Sequence, residues 1–249
     1  MENITSRKNS VITHIRALSK DRAYRTLHGE YVCDGIKQLR EAVSAGADIG
    51  TVIWSGNPEL DADARQIVVS AELLSYVSPL KNSPGPVFTI KIPHTAVPEN
   101  LHKVIILENV QDPGNVGTVI RTANAFDMDA VILTGGCADL YSPKTARSAM
   151  GALFVQPVLE LELSDIAGLL SRNDMRLWGA ALEQGGADIR CARLERSAVV
   201  IGNEGSGITA AMKGMCTGFV KIPMSPEAES LNAAVAASVV MWEMSRLSL

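Results

Sequence analysis

The chain reads as an α/β protein built on a parallel sheet, and three observations lead there. From Leu101 onward, short apolar runs alternate with helical segments. Those runs are continuously apolar, which is the pattern of strands covered by helices on both faces. The composition, 47% apolar and 20% charged over 249 residues, allows a substantial core.

In this second half, strands are expected at Val104–Leu107, Ala130–Leu133, Arg176–Ala180, Ala198–Ile201 and Gly218–Ile222. Helices fall between them, at about 115–126, 143–150, 164–172, 207–213 and 231–246. The last helix has almost no polar face over its first three turns, so burial on all sides is expected of it. Residues 9 to about 92 read as a smaller α/β unit. It opens with a basic helix, then Tyr31-Val32-Cys33, a helix over Gly35–Ala45 and a strand at Thr51–Trp54. A helical segment near Asp61–Arg65 and strands at Ile67–Ser70 and Val87–Ile92 complete it. The stretch Ser78–Pro86 is rich in proline and glycine and reads as an internal loop. The polar, proline-bracketed segment His94–Asn100 is the best linker, giving domains at 1–95 and 101–249.

Composition narrows the classes of function. The N-terminus lacks the apolar stretch of a signal peptide, and no run reaches the roughly 18 apolar residues of a membrane span. Cys33, Cys137, Cys191 and Cys216 lie far apart, without the spacing of a zinc site or a disulfide framework. No metal and a cytoplasmic location are therefore expected. The net charge of -4 hides a gradient: residues 1–40 carry eight Lys/Arg against four Asp/Glu. That segment is able to contact phosphates, although a solvated helix face would show the same balance.

In a parallel sheet, ligands bind where strands run out into loops. Three such loops are unusual. The first, Glu108 to Phe126, places Val116, Val119, Ile120, Ala123 and Phe126 on one helical arc and Asn115, Thr118, Arg121 and Thr122 on the other. An amphipathic helix capped by Asn115 would look the same. The second, Gly202-Asn203-Glu204-Gly205-Ser206-Gly207, lets backbone approach a ligand closely, yet it matches neither a dinucleotide nor a Walker fingerprint. The third is Ile222-Pro223-Met224 followed by Glu229-Ser230-Leu231-Asn232, two polar groups at the mouth of an apolar helix. Ser230 is a competent cap for that helix and Asn232 a tolerated first-turn residue.

Taken together, these loops resemble the three motifs of the SpoU (TrmH-type) family of RNA ribose 2′-O-methyltransferases, within the SPOUT superfamily. Asn115–Ala123 resembles the first motif, Gly202–Gly205 with Gly207 the second, and Ile222–Met224 with Glu229–Asn232 and Val235–Ala237 the third. The likeness runs over residues 101–249 in order and spacing. Residues 1–92 more loosely resemble the family's RNA-binding extension, where Tyr31-Val32-Cys33-Asp34-Gly35 departs from the usual aromatic-Val-Val-Glu-Gly.

The resemblance implies a parallel-sheet domain closed by a deep trefoil knot, a homodimer, and S-adenosylmethionine as methyl donor without a metal. It implies cofactor contacts at Ala180, Ala181, Leu182, Gly202, Asn203, Gly205, Ile222 and Leu231. It carries over Arg121 as the catalytic arginine, with Asn115, Glu204, Ser230 and Asn232 around it. The substrate implied is RNA, with ribosomal RNA favoured over tRNA by the N-terminal extension. Two rivals stand beside this. A non-catalytic RNA-binding or ribosome-assembly protein would keep the fold without the polar set, all of which is present. A nucleotide-dependent oxidoreductase would need a glycine fingerprint after the first strand, and residues 108–118 supply none.

Overall fold

The computed structural model describes residues 2–183 and 185–246. The chain divides into two units, one of residues up to His94 with Asp139–Val155, the other of Thr95–Ala138 with Gln156 onward.

The first unit begins with β1 (Glu2–Asn3), α1 (Ser10–Lys20), α2 (Arg22–His28) and β2 (Glu30–Asp34). It continues with α3 (Ile36–Ser44), β3 (Ile49–Trp54), β4 (Arg65–Val68), α4 (Ala71–Val77) and β5 (Val87–Lys91). The sheet order is β1-β4-β3-β5-β2, with β5 antiparallel to both neighbours. Ile12, Ile15 and Leu18 of α1 recur at helical spacing and are fully buried with Val32, Ile53 and Ile67. The helix expected near Asp61–Arg65 does not form. Leu60, Ala62 and Ala64 alternate with acids and give no helical stripe, and Arg65 already belongs to β4. The strand expected at Ile67–Ser70 ends at Val68. The helix comes after it, started by Ser70, whose hydroxyl accepts from Leu73 N at 3.2 Å.

Residues 139–155 pack with this first unit rather than with the strands that flank them in sequence. They include α6 (Pro143–Ala149) and a short 3-10 turn at Met150–Phe154. Buried Arg25 is paired with Asp139, Gln38 Nε2 donates to the Ala146 carbonyl at 2.7 Å, and the rings of Tyr31 and Tyr141 lie 4.8 Å apart. Arg25 is thus an internal strut, withdrawn from the basic face that the sequence suggested.

The second unit holds β6 (Lys103–Glu108), α5 (Pro113–Ala125), β7 (Ala130–Thr134), β8 (Val158–Glu160) and α7 (Leu163–Arg172). It continues with β9 (Arg176–Ala180), β10 (Ala187–Asp188), β11 (Ser197–Ile201), α8 (Ala210–Met215), β12 (Gly218–Lys221) and α9 (Ala233–Arg246). All seven strands run parallel in the order β10-β12-β9-β11-β6-β7-β8. The chain steps outward from β6 through β7 to β8, then returns to the other side of β6. That reversal puts a crevice at the carboxyl ends of β6 and β11, which pair as far as Ile201 with Leu107. Beneath it Ile106, Ile132, Ile166, Leu169, Leu177, Val200 and Met212 form the core. Each large aliphatic buried there contributes roughly 1.5–3 kcal/mol.

Helix α9 corrects one expectation. Ala233, Ala234, Ala237, Val240 and Met241 are buried, but Val235 is 49% and Trp242 53% exposed. The helix packs on α5, β6 and β11, and residues seven apart leave an uncovered stripe. Among the described residues no helix is long and apolar enough to cross a membrane.

Candidate active site

The three unusual loops leave the carboxyl ends of β6, β11 and β12. In the first, Asp112, not Asn115, caps α5: its carboxylate accepts from Asn115 N at 3.0 Å. Pro113 takes the first helical position, where no N–H is needed, and this moves Asn115 one turn inside. Its side chain is thereby freed from capping.

The glycine turn is closed by paired backbone bonds between Asn203 and Gly207, at 3.1 and 2.9 Å. The Asn203 side chain is spent on holding it. Its Oδ1 accepts from Gly205 N and Ser206 N, at 2.9 and 3.0 Å, and its Nδ2 donates to the Asn109 carbonyl at 2.9 Å. Asn109, at φ 57°, in turn accepts from Gly136 N at 2.7 Å. One residue therefore ties the β6, β7 and β11 loops together. Below them the Cys137 thiol donates to the carbonyls of Leu107 and Thr134, and burial pushes its pKa up. It is a half-buried thiol held by backbone.

In the third loop, Asn232 is the cap of α9. Its Oδ1 accepts from Ala234 N at 2.9 Å and Val235 N at 3.3 Å, while Ser230 lies ahead of the helix. That fixes the amide's orientation, so Nδ2 must donate, and it does, to Asn115 Oδ1 at 3.1 Å. Asn115 Nδ2 must then find an acceptor, and Glu204 Oε1 stands 2.7 Å away. The result is a directed chain from the positive end of α9 through two amides to a carboxylate. It joins all three motifs.

Beside this chain lies a cavity of about 440 Å³. Ala180, Ala181, Leu182, Gly202, Asn203, Gly205, Ile222 and Leu231 line it, as do Glu204 and Ser230. Asn115 reaches its edge through Glu204, and Asn232 stands between the lining residues Leu231 and Ala233. Arg121 does not line the cavity: it is exposed on α5 and makes no hydrogen bond or ion pair among the described residues. Sequence reasoning missed the rim pair of Lys213 and Glu183, 2.5 Å apart, and the Asn109 hub. The pair carries no periodic signal. For Asn109, a non-glycine residue ending a strand in a tight turn was the available cue.

Residues 102–242 match the SpoU rRNA Methylase family. The chain belongs to that family. Its relatives include RlmP of Bacillus subtilis (strain 168), named 23S rRNA (guanosine(2553)-2′-O)-methyltransferase, 29% identical over 98% of this chain and 99% of the relative. Another is the 23S rRNA (uridine(2479)-2′-O)-methyltransferase of Streptomyces viridochromogenes, 29% identical over 98% of this chain and 91% of the relative. Among solved structures, the SpoU methyltransferase AviRb from the same organism, in complex with the cofactor AdoMet, superposes with a TM-score of 0.86. It is 27% identical and covers 97% of this chain and 98% of its own. The parallel-sheet α/β architecture is thus that of SpoU methyltransferases of known structure.

Proposed function

We propose that the chain transfers a methyl group from S-adenosylmethionine to a ribose 2′-hydroxyl of ribosomal RNA. The observation that carries this reading is the Asn232–Asn115–Glu204 chain at the rim of a cavity walled by a glycine turn. It stands in a family member whose near-full-length relatives are named as 23S rRNA 2′-O-methyltransferases.

The residues present fit that cofactor. The cavity is of small-molecule size. A Cβ on Gly202 would lie 2.3 Å from the backbone carbon of Gly207, so bare main chain forms this wall. Backbone at Gly202, Ile222 and Leu231, with the Ala180–Leu182 loop, would hold it. When bound, it supplies a methyl group on a cationic sulfur, open to attack by a sugar oxygen. The chain's own task is to align that oxygen and stabilise its charge. Glu204 is kept in one orientation by Asn115, and Asn115 by Asn232. Ser230 faces the cavity from the third loop. An arginine is always protonated and accepts no proton, so Arg121, outside its own subunit's cavity, would serve the partner's site in the proposed homodimer, holding a neighbouring phosphate or the charge growing on the 2′-oxygen. Glu204 balances that charge.

The assembly proposed is a homodimer through α5 and α9, supported by the open apolar stripe of Val235 and Trp242 beside a helix that presents Arg121. The proposed domain roles are RNA binding for residues 1–95 and methyl transfer for 101–249. Charge supports them: residues 1–95 carry 11 Lys/Arg against 10 Asp/Glu, and residues 101–249 carry 12 against 16. The trefoil knot is proposed for the last segments, supported by the likeness to AviRb and by β12 lying inside the sheet, not at its edge. Action in the cytoplasm follows from a ribosomal RNA substrate.

The test is methyl transfer by the purified chain from labelled S-adenosylmethionine to an unmodified 23S rRNA transcript, with a tRNA mixture as the second arm. Label in an alkali-resistant dinucleotide of the rRNA arm is expected. Label on a base, or none with the cofactor bound, would refute the reading; label in the tRNA arm alone would correct the substrate.

A further inference from the structure

The first unit carries a second organised cluster. Glu30, at the start of β2, is buried and its carboxylate fully engaged. Oε2 lies 2.9 Å from His14 Nε2, Oε1 accepts the Thr89 hydroxyl at 2.8 Å, and Lys91 Nζ stands 3.4 Å away. Room for it exists because residue 50 is glycine: a Cβ there would lie 2.4 Å from Oε1. Since the carboxylate only accepts, His14 Nε2 carries the proton. In the neutral ring Nδ1 then accepts from the Tyr24 hydroxyl at 3.0 Å. Held at both nitrogens, the imidazole cannot turn. Tyr24 stacks on His28 one helical turn on, with centroids 4.1 Å apart, and His14 meets His28 edge-on at 5.1 Å. Leu27 beside them is 79% exposed.

The hydrogen-bonding atoms of His14 and Tyr24 thus point inward, while α2 shows Ala23, Leu27 and His28 to solvent. Charge says what covers this face. All four acids of the first forty residues are tied down: Glu2 to Arg65, Asp21 as the cap of α2, Asp34 to Ser78 and Ser83, and Glu30 as above. Lys8, Lys20 and Lys37 remain exposed. Ring faces and an aliphatic side chain, on a segment whose lysines are exposed and whose acids are each engaged, match an unpaired base and its phosphates.

We infer that the Tyr24–Leu27–His28 face of α2 stacks an unpaired nucleobase of the substrate RNA, an inference that rests on the methyltransferase reading above. The experiment uses the full chain and a fluorescent 23S rRNA transcript. It measures RNA Kd, RNA KM, kcat and the Kd for S-adenosylmethionine. The double variant Tyr24→Ala/His28→Ala is expected to weaken RNA binding about tenfold and to raise KM alike. Its kcat at saturating RNA and its cofactor affinity stay within about twofold, since the cavity belongs to the other unit. Tyr24→Phe keeps the ring and loses only the hydroxyl, so it binds like the parent. If the double variant fails to fold, His28→Ala alone, at an exposed ring, is expected to cost roughly threefold. Unchanged RNA affinity in a folded variant would overturn the inference and leave the face to a protein partner or solvent. So would a loss in Tyr24→Phe equal to that of the double variant. A parent chain that neither binds nor methylates the transcript would instead bring down the broader reading, and this inference with it.

Discussion

The amide nitrogen of Asn115 lies 2.7 Å from the carboxylate of Glu204, a bond that spans 89 residues and joins α5 to the glycine turn. Its direction is dictated from elsewhere. Asn232 caps α9 with its oxygen, so its nitrogen must face Asn115, and Asn115 is left donating to Glu204. A change at any member therefore reverses or breaks the chain.

Asn115→Asp tests this most sharply. Aspartate has no donor for Glu204, and two carboxylates would then face each other. We expect kcat to fall about a hundredfold, from misplacement of the rim. Cofactor affinity should change little, because Asn115 does not line the cavity. Single-turnover kinetics with calorimetric cofactor binding separates the two; full turnover would remove the relay from the mechanism.

Gly202 is the position where a methyl group costs most. Its Cβ would lie 2.3 Å and 2.5 Å from the carbonyl carbon and oxygen of Gly207, and 2.5 Å from Ile208 N, all rigid backbone. Gly202→Ala should cost about 1–3 kcal/mol, lower Tm by several degrees and weaken cofactor binding more than about tenfold. Gly205→Ala is the control. There the nearest atom is 3.5 Å away, and affinity should be retained.

Arg121 is exposed and unpaired among the described residues, so its removal should leave stability within about 0.5 kcal/mol. Turnover is another matter. Arg121→Ala should lose about 10² or more in kcat, with Arg121→Lys retaining part of it, as a point charge replaces a fork. Wild-type turnover in Arg121→Ala would show that the residue plays no part.

Glu30 ties the surface cluster to the acid stability of the first unit. Burial alone would raise its carboxyl, but bonds from His14 and Thr89 and the charge of Lys91 outweigh it and hold the pKa below the ordinary 4.5. A depressed folded-state value means stability that is present above the ordinary value and lost as pH falls through the lowered one. Urea unfolding of the parent and of Glu30→Gln should therefore differ by a constant gap above pH 4.5 and converge as pH falls below it. A gap independent of pH would contradict this.

Much of this arrangement is legible in the sequence. The strands of the second unit were readable because burial on both faces leaves runs such as Val104–Leu107 apolar at every position. The glycine turn was readable because bare backbone leaves a compositional trace. What escaped has a common cause: it depends on which group uses up which. Asn115 and Asn232 look interchangeable as caps until Pro113 hands one cap to Asp112 and the start of α9 gives the other to Asn232. The helix at Ala71–Val77 spans only two turns, too few for the buried stripe of Leu73, Leu74 and Val77 to show as a period. The attachment of residues 139–155 to the first unit rests on Arg25, Gln38 and Tyr31, partners more than a hundred residues away.

The exposed stripe of α9 gives the last prediction. The helix is apolar nearly all round, yet the chain itself buries only the side facing α5, β6 and β11. Val235 and Trp242 would then face water, with the Trp242 ring already held edge-on by Phe126 at 5.7 Å. An exposed aromatic anchor held by a neighbouring ring is the usual centre of a protein interface. If a second copy covers it, Trp242→Glu places an unpaired charge in that contact and should convert the protein to a monomer at micromolar concentration. Turnover should fall with it, while cofactor binding persists in the isolated subunit, whose cavity lining contains neither residue. Sedimentation velocity on the parent and the variant decides: a parent that is monomeric, or a variant that stays dimeric, would take α9 out of the interface.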